Sequence, residues 1–142
     1  MTKFKELLDK IHFLPAEKSF KWIYVLGILF AANFATLLIS RVLLNLTMTS
    51  ANVLAFAGVS LAIGLVACLG YFGIEIFSLM VLAGNAMGII YLFFIILTNA
   101  SQGWSDLTSI IGLLYFVAMG VMFGFMMQLI YFLSKVRFKK RR

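Results

Sequence analysis

The sequence predicts an all-α membrane protein: a four-helix transmembrane bundle, a short amphipathic interfacial helix at the N-terminus, and both termini in the cytoplasm. Three observations predict it. First, no charged residue lies between Val42 and Ile74, between Ile76 and Ser105, or between Leu107 and Ser134. Each stretch exceeds the roughly 20 residues that cross a hydrocarbon core. A fourth apolar stretch, Trp22 to Ser40, completes the set. Second, the 142 residues are 63% hydrophobic with a mean hydropathy of +1.06. A soluble domain of this size could not hide that much apolar surface. Third, eleven of the twelve basic residues flank the bundle: five precede the first span, six follow the last, and only Arg41 lies elsewhere. With an even number of spans the positive-inside rule puts both ends in the cytoplasm.

The elements follow in order. Residues 1–17 form a cytoplasmic segment. Within it Phe4, Leu7, Leu8, Ile11 and Leu14 make one apolar helical stripe, with Lys3, Glu6, Asp9 and Lys10 off it. Such a helix can lie in the headgroup region. Pro15 then starts a new helix, where a missing N–H costs nothing. The membrane domain covers residues 18–135, with spans at about 18–44, 52–71, 74–97 and 107–135. The first span is preceded by charged residues and lacks a small-residue cleavage site after a short apolar core, so it reads as a span and not as a signal peptide. Trp22, Tyr24 and Trp104 fit membrane interfaces, and Arg41 can snorkel to one. Gly70 and Gly73 reverse the chain between spans two and three. Asp106 is placed to cap the fourth helix. Residues 136–142 are a basic cytoplasmic tail suited to anionic lipid headgroups. That location explains the basic patch without nucleic acid.

Small residues recur at spacing four in every span. Gly27, Ala31 and Ala35 do so in the first, and Ser60, Gly64 and Cys68 in the second, beside Gly58 and Ala62. Gly84 and Gly88 form a GxxxG in the third span. Gly120 and Gly124 form another in the fourth, with Gly112 further up the stripe. Small residues let helices approach closely in lipid. Such stripes serve packing within the chain or between chains, and the first is the ordinary use.

Catalytic residue types are scarce, so no enzyme, cofactor or metal centre is expected. His12, the one histidine, lies outside the spans, where it reads as a solvated side chain. The spans hold no haem ligand set, and Cys68 stands alone. No nucleophile elbow, phosphate loop or metal-ligand run appears. A mid-membrane charge costs at least about 2.5 kcal/mol, so Glu75 draws notice. Its place two residues after Gly73 suits a helix N-terminus, where a carboxylate meets the favourable dipole end.

The candidate binding residues are Asn33, Asn85, Gln128 and Glu75, and the candidate helix-packing residues are Gly84, Gly88, Gly120 and Gly124. Buried amides ordinarily glue helices together. The alternative is a neutral-solute path lined by Asn33, Asn85 and Gln128, with Tyr91 and Tyr115 as aromatic walls. Met119, Met122, Met126 and Met127 crowd the fourth span as lipid-facing or packing residues.

Gly88-Ile89-Ile90, Trp104-Ser105-Asp106 and Tyr115-Phe116 weakly resemble the helix-loop-helix of nicotinamide riboside permeases. The paired tryptophans typical of those permeases are missing, so no substrate residue carries over. Asn45-Leu46-Thr47 and Asn99-Ala100-Ser101 match the glycosylation sequon. The final Lys139-Lys140-Arg141-Arg142 resembles a dilysine retrieval signal. These features would suit an endoplasmic-reticulum membrane, which ranks second to a bacterial plasma membrane. The expected function is a non-catalytic accessory or scaffolding subunit of a membrane complex, partnered by other membrane subunits or by itself. The alternative is a small homo-oligomeric facilitator for a neutral solute.

Overall fold

A computed structural model describes Pro15, residues 18–98 and residues 104–139. The amphipathic helix expected over residues 2–14, His12, the Asn99 sequon and the last basic residues lie outside the described residues.

All regular structure among the described residues is helical. Helix α1 is Trp22–Leu43, α2 is Ser50–Ala67, α3 is Glu75–Thr98 and α4 is Ser105–Lys139. A short 3-10 turn, Cys68–Phe72, joins α2 to α3. Among the described residues four helices are long and apolar enough to cross a membrane, with α2 counted together with its turn. This is an integral membrane protein.

Local chemistry sets the boundaries. The first span was expected from residue 18, but α1 begins at Trp22. Lys18 has a positive φ of 55°, and its amide donates to the Tyr71 carbonyl at 3.1 Å, so the chain bends before the helix starts. Asn45, with φ 51°, ends α1 in the left-handed conformation that asparagine tolerates. The Thr49 hydroxyl accepts the Asn52 amide at 3.3 Å and caps α2. Gly73, with φ 87°, makes the left-handed reversal into α3. The fourth helix is longer than expected and reaches Lys139.

The helices run up and down in sequence. Antiparallel pairing shows in the contacts: the Leu26 side chain covers Gly64 across α1 and α2, and Gly88 faces Leu113 while Gly124 faces Phe77 across α3 and α4. The start of α1, the 3-10 turn and the end of α4 therefore share one end of the bundle, here the terminal end.

Two apolar clusters fill the interior. Leu37, Phe56, Leu92, Ile96 and Leu113 form one toward the far end. Ala67, Phe77 and Val81 form the other toward the terminal end. The outer surface is apolar as well: Ile28, Leu54, Ile90, Phe94 and Phe125 are all exposed. Asn33, Thr36, Ser40, Ser60, Ser78, Asn85 and Ser109 are buried. This inside-out distribution suits lipid, which solvates leucine as well as a protein core does but offers no hydrogen bonds.

One hydrogen bond ties α2 to α3: the Ser78 hydroxyl donates to the Ala67 carbonyl at 2.6 Å, both groups being buried. Interhelical hydrogen bonds in membranes average about 0.6 kcal/mol and reach about 1.7. Ser78→Ala should therefore lower stability by about 1 kcal/mol in reversible unfolding in mixed micelles. An unchanged unfolding midpoint would refute a stabilising role for this bond.

Candidate functional site

Three buried polar side chains lie at neighbouring heights between the two apolar clusters. The Ser78–Ala67 hydrogen bond fixes the relative height of α2 and α3. Ser60 lies seven residues before Ala67 and Asn85 seven after Ser78. Two antiparallel helices followed for two turns from a shared contact stay level, about 10.5 Å further along, and return to nearly the same face. Ser60 and Asn85 are thus level on the facing sides of α2 and α3. The Leu26–Gly64 contact does the same for α1. It sets Asn33 level with Ala57, about 4.5 Å along the axis from Ser60.

All three residues are sealed. Asn33 and Ser60 have no exposed surface and Asn85 keeps 4%. The Asn33 Nδ2 donates to the Leu29 carbonyl at 2.9 Å, within its own helix. Asn33 Oδ1, Ser60 Oγ and Asn85 Oδ1 have no hydrogen-bond partner among the described residues. Leaving such a group unsatisfied costs about 1–3 kcal/mol.

Gln128 is not part of this layer. Gly124 packs on Phe77, and Gln128 lies one turn beyond it, level with the Gly73 reversal at the terminal end. Its Oε1 is also buried without a partner. Tyr91 and Tyr115 do not wall the layer either. With Thr108, Ile111, Gly112 and Phe116 they line an open groove of ≈310 Å³ on the face of α3 and α4. Tyr115 is largely exposed there, and the Tyr91 ring lies over Gly112. Glu75 is exposed in the first turn of α3.

The small-residue stripes divide into two kinds. Those of α3 and α4 are consumed internally. A Cβ on Gly84 would sit 2.5 Å from the Phe116 carbonyl oxygen and 3.0 Å from Gly120 Cα. A Cβ on Gly120 would sit 2.7 Å from the Met80 carbonyl oxygen, while Gly88 and Gly124 face the backbones of Leu113 and Phe77. The α1 stripe points the other way. Gly27, Ala31 and Ala35 are all exposed, and a Cβ on Gly27 would meet nothing within 4 Å.

No protein-family model, curated protein or solved structure matches this chain. Among the described residues no three His, Cys, Asp or Glu side chains gather where they could hold a metal ion.

Two features escaped the sequence reading. One is that Gly58 and Ala62, already small residues of note in the second span, belong with Ala51 and Ala55 to an outward stripe on α2, all four exposed, and that Gly58 likewise meets nothing. Its four-three-four spacing was visible in the sequence. The other is Trp22, expected at a membrane interface but 3% exposed. Its ring is packed where a Gly70 side chain would be. No periodicity foretold that contact, because it depends on the 3-10 turn folding back over α1.

Proposed function

We propose that this protein is a non-catalytic accessory or scaffolding subunit of a membrane complex, and that α1 docks a transmembrane helix of another subunit. The observation that carries this reading is the outward Gly27–Ala31–Ala35 ridge. In lipid, apolar surface alone drives little association, whereas small residues permit the close backbone approach on which helix pairing depends. The α3 and α4 glycines are already used inside the bundle; the α1 ridge has open space above Gly27. The partner is another membrane subunit or a second copy of the chain. Both termini lie in the cytoplasm, a bacterial plasma membrane is the favoured location, and the basic ends contact anionic headgroups.

The facilitator alternative has less support. Gln128 lies at a different height from Asn33 and Asn85, and the tyrosines that would line a path open onto the bundle surface.

Affinity purification in mild detergent followed by native mass spectrometry tests the proposal. A second membrane protein, or a second copy, should elute with the wild type. Ala31→Ile and Ala35→Ile should release it while leaving the unfolding midpoint unchanged. In a Cys68→Ser background, Ala31→Cys should cross-link to the partner within the native membrane. Cys68 donates to the Trp22 carbonyl at 3.4 Å, a contact that serine can keep. A monomeric wild type, or full co-purification by both bulky variants, would overturn this reading.

A further inference from the structure

We propose that Asn33, Ser60 and Asn85 hold one buried water molecule at the middle of the bundle, closed off from both ends. The inference does not depend on whether α1 docks a partner.

The inventory of donors and acceptors points to water. Asn33 Oδ1 and Asn85 Oδ1 are carbonyl-type oxygens that only accept, and both lack a donor. Ser60 Oγ both donates and accepts, and it too lacks a partner. A water molecule has two donors and can accept a third bond. It would donate to the two amide oxygens and accept the serine hydroxyl proton, for about three hydrogen bonds, the usual number for a buried water. Among the described residues no hydrogen bond reaches these three oxygens, and the hydrocarbon around the bundle supplies none.

The same inventory disfavours ions. Among the described residues no carboxylate faces the layer to balance a metal cation, since Glu75 is exposed at the start of α3 and the stretches from Val42 to Ile74 and from Ile76 to Ser105 carry no charge. Two carbonyl-type acceptors repel an anion. A larger neutral solute is opposed by the enclosure. Leu37, Phe56, Leu92, Ile96 and Leu113 close the layer toward the far end. Ala67, Phe77 and Val81 close it toward the terminal end. Water is the one suitable donor present at high concentration on both sides of every membrane.

The experiment is water-edited NMR on full-length protein labelled with 15N-asparagine, in nanodiscs of deuterated lipid. Five asparagines are present: Asn33, Asn45, Asn52, Asn85 and Asn99. Asn45 is exposed in the described structure and serves as the wet reference. The side-chain amides of Asn33 and Asn85 should show magnetisation transfer from water, and Ser60→Ala should abolish it at Asn85. If Ser60→Ala does not fold, Ser60→Cys replaces it, since a thiol is a much weaker partner. Osmotic shrinkage of proteoliposomes should match that of empty vesicles. Absence of water transfer at the two amides would overturn the site. Transfer at Asn85 undiminished by the serine variants would remove Ser60 from it. Shrinkage faster than in empty vesicles would overturn the closure and indicate a conducting path.

Discussion

Gly84→Leu and Gly120→Leu should each separate α3 from α4 and destroy the fold, while Gly27→Leu and Gly58→Leu should leave stability within about 0.5 kcal/mol of the wild type. All four replace a helical glycine in a membrane span. They differ in what the new side chain meets. At Gly84 the first added carbon already lies 2.5 Å from the Phe116 carbonyl oxygen, and at Gly120 it lies 2.7 Å from that of Met80. These obstacles are backbone atoms of the facing helix and cannot rotate away. Accommodating even a methyl requires the helices to move apart, so Gly84→Ala alone should cost about 1–3 kcal/mol. A leucine requires a larger displacement and gives up dispersion contacts along the helix pair. Gly27 and Gly58 meet no atom within 4 Å, and leucine there only replaces a poor helix former with a good one. Circular dichroism during unfolding in mixed micelles reads all four variants. Wild-type stability in Gly84→Leu would show that α3 and α4 do not approach this closely.

The contrast among these glycines marks the limit of what the sequence could reveal. The four apolar helices were legible because length and hydropathy answer to bilayer thickness. The internal use of the Gly84–Gly88 and Gly120–Gly124 stripes was legible as a tendency, because small residues at spacing four have one main purpose in lipid. The opposite role of Gly27 was not. Its stripe has the same spacing, and only the packed bundle shows that no helix among the described residues covers it. The polar residues repeat the lesson. Asn33 and Asn85 stood out as amides in apolar helices, but Gln128 stood out equally and lies at another height. Ser60 reads from the sequence both as a small packing residue and as a buried polar group. Its place level with Asn85 became visible only when the Ser78–Ala67 bond aligned α2 with α3. Periodicity reports a residue's face on its own helix; the height at which two helices meet is a tertiary property.

That dependence on register makes Trp22 the second residue whose loss should be severe. Its ring occupies the place a Gly70 side chain would take, beside the Ser78 hydroxyl. Ser78 in turn donates to Ala67, the Cys68 thiol donates to the Trp22 carbonyl, and Lys18 donates to Tyr71. One indole thus holds the start of α1 against the 3-10 turn and the start of α3, at the contact from which the mid-bundle layer takes its alignment. Trp22→Ala should cost about 3 kcal/mol, the lower end for removing a large buried aromatic, because part of the usual penalty reflects transfer from water, which is reduced in a bilayer. Trp22→Phe keeps most of the volume and should keep most of the stability. Fluorescence provides the measurement. The chain has two tryptophans, and Trp104 is 69% exposed, so Trp104→Phe leaves Trp22 as the sole reporter. In that background Trp22 should emit at short wavelength, resist acrylamide until the bundle unfolds, and report the same midpoint as circular dichroism. Easy quenching in the folded protein would place the ring outside the bundle and remove the reason for Gly70 to be a glycine. An early fluorescence transition would instead show that the terminal end opens independently, and the register of Asn33, Ser60 and Asn85 would then depend on the far-end packing of Leu37, Phe56 and Leu92 and not on this tryptophan.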